Sequence, residues 1–216
     1  MADSTFDFNL FIKESKDVLV NPKSYFSTMK TTGGMTEPLI KAVIYGAVAG
    51  IITLIWSVLN IGAMSNPIFG SAIGVMGFIW SVIGAIIGLF IGAVVTLVIS
   101  AICKGSTDFE ANLRVTASIM VMMPISAFLG FAGHFNIYLG LIISLAVYIF
   151  ALWLLYNALV EALKANAETS KIVTYVLIVI FALFMLLGLG ARRKASQFMN
   201  EFNKSTSEVM KDLPEN

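Results

Sequence analysis

The stretch Gly77-Phe78-Ile79-Trp80-Ser81-Val82-Ile83-Gly84-Ala85-Ile86-Ile87-Gly88-Leu89-Phe90-Ile91-Gly92-Ala93-Val94-Val95-Thr96 decides how the rest of the chain is read. It lies within a longer uncharged run, Gly70 to Cys103, and is itself about the length that crosses the hydrocarbon core of a bilayer. Gly77, Ser81, Gly84, Gly88 and Gly92 recur at helical spacing, and Gly84, Gly88 and Gly92 form a double small-x-x-x-small element. In water each glycine would weaken a helix by roughly 1 kcal/mol relative to alanine. In lipid the backbone has no partner but itself, so the helix persists, and the missing side chains let another helix approach closely. The stripe therefore reads as a packing face within the subunit, a seam between two copies, or a groove for lipid or another ligand. The first reading is the plainest.

Composition extends the same conclusion to the whole chain. Of 216 residues, 58% are hydrophobic and only 12% charged, with a mean hydropathy of +0.87. Soluble domains carry about 25% charged residues. From Ala42 to Cys103 there is no Asp, Glu, Lys, Arg or His. The net charge of +1 argues against nucleic acid as a partner. Cys103 stands alone, which excludes an internal disulfide and suits no metal site. The first 36 residues hold no apolar core followed by a small-residue cleavage site, so no cleavable signal peptide is expected.

The chain divides into a polar leader (1–36), a membrane domain (37–191) and a polar tail (192–216). Ser4 or Asp7 caps a helix running to Val20, with Phe8, Phe11, Ile12, Ser15 and Leu19 on one face. That face suits either the membrane surface or the cytoplasmic end of the bundle. Asn21-Pro22 stops it, and Pro22 to Phe26 begins a second turn. Spans are expected over about Leu39–Leu59, Gly70–Cys103, Val115–Ala132, Ile137–Leu159 and Ile172–Leu189. Lys41 marks the headgroup level, and Gly46 and Gly50 give the first span a small face. Pro124 bends the third span, because it removes a backbone donor. His134 reads as an interfacial residue rather than a proton carrier. The tail, from Ala195 to Leu213, is a second candidate interfacial helix. The fold class is all-α: a polytopic bundle of five transmembrane helices with short amphipathic helices at both termini.

Lys16-Asp17-Val18-Leu19-Val20-Asn21-Pro22-Lys23-Ser24-Tyr25-Phe26 resembles the amphipathic, proline-then-aromatic start of prokaryotic Yip1-domain proteins. Lys104-Gly105-Ser106-Thr107-Asp108-Phe109, followed by Leu113-Arg114-Val115, resembles that family's short loop into the third span, and Pro124 falls where the family often has a proline. The resemblance implies five spans with a cytoplasmic N-terminus in the prokaryotic cell membrane. It implies little chemistry. The GTPase-binding and trafficking role of eukaryotic members is not carried over, because their Asp-Leu-Tyr-Gly-Pro motif is absent from this sequence.

Chemistry narrows the function further. One histidine cannot supply a zinc-protease pair, and no span holds a base beside a serine. Asp108, Glu110, Glu161 and Glu168 read as solvated loop charges, and Cys103 as a structural thiol. No catalytic residue, cofactor or metal site is expected. The leading reading is a non-enzymatic membrane scaffold or membrane-shaping protein working through helix packing. Its partners would be the lipid bilayer and a second copy or other membrane proteins. The alternative is a small transporter or channel component for a lipid or apolar solute, although spans without ionisable residues suit ion coupling poorly.

Orientation follows from cation placement: the loops 104–114 and 161–171 belong with the N-terminus inside. Arg192, Arg193 and Lys194 then fall outside, against the rule. In a background lacking Cys103, a cysteine replacing Ser106 is expected to resist an outside-only thiol reagent, and its labelling would reverse the orientation. The same assay at Ser205 separates five spans from six.

Overall fold

The computed structural model describes residues 7–59 and 70–188, and every regular element among them is helical. The helices are α1 (Phe8–Val20), α2 (Pro22–Thr28), α3 (Thr36–Val58), α4 (Gly70–Ile102), α5 (Phe109–Ile119), α6 (Met122–Leu129), α7 (Ala132–Phe135), α8 (Ile137–Asn157) and α9 (Ala167–Gly188). A π-turn, Ala158–Ala162, continues α8. Two compact units divide the chain, Met1–Ile178 and Val179–Asn216. The turn at Asn60 to Pro67 and the expected tail helix lie outside the described residues, as does the side chain of His134.

Five helical segments are long and apolar enough to cross a membrane: Thr36–Val58, Val75–Ile102, Phe109–Leu129, Tyr138–Ala162 and Ala167–Gly188. Two of them start earlier than the hydropathy pattern suggests, because polar first turns are capped rather than looped. Asp108 accepts the Ala111 N–H at 2.8 Å to open α5, and Asn166 accepts the Thr169 N–H at 3.0 Å to open α9. The leader follows its sequence closely. Asp7 caps α1 by accepting from Asn9 and Leu10, and Asn21 both ends α1 and accepts from Ser24 to start α2. Pro22 occupies the first turn of α2, where its missing N–H costs nothing.

The third span is broken at Met120–Val121, one turn before Pro124. Proline cannot donate to the Met120 carbonyl and its ring crowds that group. The carbonyl is taken instead by the Met123 N–H at 2.9 Å. At the far end of α3, the Trp56 indole donates to the Ala127 carbonyl at 3.2 Å, and its ring lies 5.1 Å from that of Phe131.

The seam of α4 lies beside the glycine stripe rather than on it. Its buried positions are Ala85, Leu89, Ala93, Thr96, Ile99 and Ser100. Relative to Gly84, Gly88 and Gly92 this row is displaced by one residue, about 100° around the helix. Added Cβ atoms at Gly77, Gly84 and Gly88 would meet nothing within 4 Å. Of the expected face, Ser81 and Gly92 are engaged: Ser81 donates to the Gly46 carbonyl at 2.8 Å, and a Cβ on Gly92 would come 2.8 Å from Thr116 Cγ2. The close approach is supplied by α3. A Cβ on Gly46 would lie 2.6 Å from Ala85 Cβ, and one on Gly50 would lie 2.8 Å from the Phe78 ring.

Gly46→Leu is therefore expected to separate α3 from α4 and cost about 1–3 kcal/mol, read as a lower unfolding temperature in detergent. Gly88→Leu should leave the unfolding temperature of the isolated subunit unchanged. Equal losses from the two variants would place the seam on the glycine row after all.

Candidate functional site

Two helices begin with the same charge pattern. Glu37 and Lys41 occupy positions i and i+4 in the first turns of α3, and Glu110 and Arg114 do so in α5. A carboxylate four residues ahead of a cation is the favourable order, since it also complements the helix dipole. Because α3 and α5 pack together, the pairs fuse. Arg114 Nη1 lies 3.0 Å from Glu37 Oε2, and Lys41 Nζ lies 2.8 Å from Glu37 Oε1. Helix α1 adds Glu14, 2.7 Å from Lys41 Nζ, while Glu110 Oε1 lies 3.2 Å from Arg114 Nε. The result is a continuous chain, Glu14–Lys41–Glu37–Arg114–Glu110.

Both cations are 6% exposed. Taking a single charge out of water costs several kcal/mol, so a buried cation persists only beside carboxylates and with its donors engaged. Here each cation meets two carboxylates. Lys41 and Arg114, read from sequence as a headgroup marker and a loop cation, are in fact the centre of an ion network, and Glu110 is part of it rather than a solvated loop charge. Asp108 caps α5, and Glu161 makes a 3.8 Å pair with the exposed Lys23. The missed signal was the repeated acid-x-x-x-cation spacing at the start of two spans.

The network also grips the linker between α2 and α3. Arg114 Nη2 donates to the Gly34 carbonyl at 2.9 Å, and the Gly34 N–H donates to Glu110 Oε1 at 2.6 Å. Gly33 holds φ at +128°, in the region that glycine favours, and a Cβ there would come 2.9 Å from Arg114 Nη2. Around the network, the Tyr25 hydroxyl lies 2.9 Å from Ser118 Oγ, which donates to the Arg114 carbonyl at 3.0 Å. Burial raises the Tyr25 pKa above its ordinary value, so the phenol stays a neutral donor. On the other side, Tyr45 Oη lies 2.7 Å from Ser15 Oγ and its ring 5.1 Å from Phe11.

These contacts settle the face of α1. Phe11 and Val18 are buried on the bundle, whereas Phe8 and Ile12 remain more than half exposed beside them. Between α1, α2, α3 and α5 lies a cavity of about 360 Å³, with Lys41, Arg114, Tyr25 and Ser118 among its lining residues.

A second polar junction ties the ends of α4 and α8. The Ser106 N–H donates to the Leu163 carbonyl at 2.8 Å, and the Asn166 N–H donates to the Cys103 carbonyl at 2.8 Å. Each loop turns through a left-handed lysine, Lys104 at φ 58° and Lys164 at φ 56°. Cys103 is fully buried there, as expected of a structural thiol. Among the described residues no group of His, Cys, Asp or Glu has the makings of a metal site.

Five apolar helices with a charged, ion-paired end define a polytopic α-helical integral membrane protein. The family model for the Yip1 domain matches residues 16–190, and the chain belongs to that family. Neither the curated proteins nor the solved structures contain a match to it.

Glu37→Gln is expected to destabilise the protein by about 2 kcal/mol in detergent, because it leaves both buried cations short of a carboxylate. Glu161→Gln, which removes an exposed pair, should cost less than about 1 kcal/mol. Gly33→Ala should also lower the unfolding temperature through strain and the clash with Arg114. An inert Glu37→Gln would show that the network contributes nothing to stability.

Proposed function

We propose that the protein is a non-enzymatic scaffold of the prokaryotic cytoplasmic membrane, its N-terminus inside, that organises other membrane helices through packing. One observation carries this reading. Among the described residues, every Asp, Glu, Lys and Arg belongs to the leader, to the loops at the leader's end of the bundle, to the first turns of the spans starting there or, for Glu161, to the last turn of the span ending there. Coupled transport needs ionisable groups along a path through the membrane, and intramembrane catalysis needs a base there. Deeper polar groups such as Thr96 and Thr116 are paired with each other, at 3.2 Å.

In this reading the small-residue face of α4 is used twice. Ser81 and Gly92 serve the subunit's own seam, and Gly77, Gly84 and Gly88 meet a helix of another molecule. The polar end is the rigid platform that holds α3, α4 and α5 in register for that contact.

Cysteines placed singly at Gly84 and Gly88, with Cys103 replaced by serine, are expected to form discrete protein crosslinks in native membranes. Gly88→Leu should abolish those crosslinks while the folded subunit survives. Reconstituted protein should leave the leakage of ions and small solutes from liposomes unchanged. Stimulated flux, with no protein crosslink at either position, would replace the scaffold by the transporter reading.

A further inference from the structure

The donor inventory of the ion network does not close among the described residues. Lys41 Nζ carries three N–H donors, and two are directed to Glu14 and Glu37. Arg114 carries five, of which three go to Glu110, Glu37 and Gly34. One N–H of Lys41 and two of Arg114 are left without an acceptor among the described residues, although both residues are 6% exposed. Buried charged donors demand acceptor oxygens. Both side chains line the cavity of about 360 Å³, and a water takes up only about 30 Å³ in the liquid. The space suits a ligand larger than one or two waters.

The charges of the wall restrict its chemistry. Lys13 and Lys30 join Lys41 and Arg114 on the lining, and neither makes an ion pair among the described residues. Glu14, Asp17 and Glu37 line the same space, and Glu110 backs Arg114. Four cations and three carboxylates thus line the space, a near balance that disfavours a polyanion and leaves partners for both ends of a zwitterion. Lys41 is the sixth residue of α3, about 8 Å along the helix from its start, which is headgroup depth for a span beginning at Thr36.

We infer that this cavity is a binding site for the phosphoethanolamine group. Its phosphate oxygens accept the spare N–H donors of Lys41 and Arg114, with Lys13 and Lys30 closing over them. Its ammonium meets Asp17 and the outer edge of Glu14. A membrane phospholipid presents that group at the right depth, and a soluble phosphoethanolamine ester carries the same chemistry. The site stands apart from the scaffold reading, since it concerns what the purified chain binds and not which helix it touches.

The test uses the full chain in a neutral detergent, with native mass spectrometry and thermal unfolding as readouts. Phosphatidylethanolamine is expected to bind at least about tenfold more tightly than phosphatidylcholine, which lacks ammonium N–H groups, or phosphatidylglycerol, which lacks the ammonium. Lys13→Glu combined with Lys30→Glu should unfold at the native temperature yet lose about tenfold in binding. Asp17→Asn should narrow the preference for ethanolamine over choline, an effect that a merely structural aspartate would not have. Competition by water-soluble glycerophosphoethanolamine supports the site and makes a soluble ester its ligand; failure to compete, with the lipid still bound, supports it and makes the lipid its ligand. Equal binding of the three lipids, or unchanged binding by the double lysine variant, overturns the inference.

Discussion

Glu37 lies between two buried cations, and the polar end of the bundle depends on that position. Lys41 is held by Glu14 and Glu37, and Arg114 by Glu37 and Glu110, so one carboxylate is common to both. A buried ion pair is weak support for stability in itself, since desolvation offsets most of its attraction. Its structural value is relational. The chain of charges fixes α1 to α3 and α3 to α5, and through the Gly34 backbone it fixes the linker as well. Helices that pack by apolar contact alone can slide along each other; an arginine bonded to two carboxylates and a carbonyl cannot.

Below that end the constraint changes. Apolar side chains gain little by leaving lipid, so closeness of approach decides which helices pair. Gly46 and Gly50 bring α3 within backbone distance of Ser81 and Val82 on α4. The buried row Ala85–Leu89–Ala93 then fits against it. The outer row of glycines is left facing away within the subunit.

The fold class was readable because a run of apolar residues of the right length has one stable form in lipid. Asp7, Asn21 and Pro22 were equally plain, since capping is a local effect. The seam was not, because α4 carries small residues on two adjacent rows, and a helical wheel does not say which row meets a neighbour. Lys41 and Arg114 failed for a similar reason. A cation near the start of a span reads as interfacial unless its acceptors are known, and two of those acceptors sit on other helices. Glu110 and Arg114 looked like a loop because the helix cap at Asp108 moves the start of α5 ahead of the apolar run. The cavity is a product of how four elements meet, and no single segment encodes it.

The crossed loops at Lys104 and Lys164 bear on how the molecule is made. The Ser106 N–H and the Cys103 carbonyl are produced early, yet their partners Leu163 and Asn166 follow only after two further spans have been synthesised. Until then these polar groups must be solvated by water or headgroups, so the end of α4 stays at the membrane surface while the ribosome continues. The hairpin of α3 and α4 can form as soon as both are inserted, but its polar end closes only when α8 arrives. Assembly of this bundle therefore has a built-in order, in which the fourth span closes the polar end that the second leaves open.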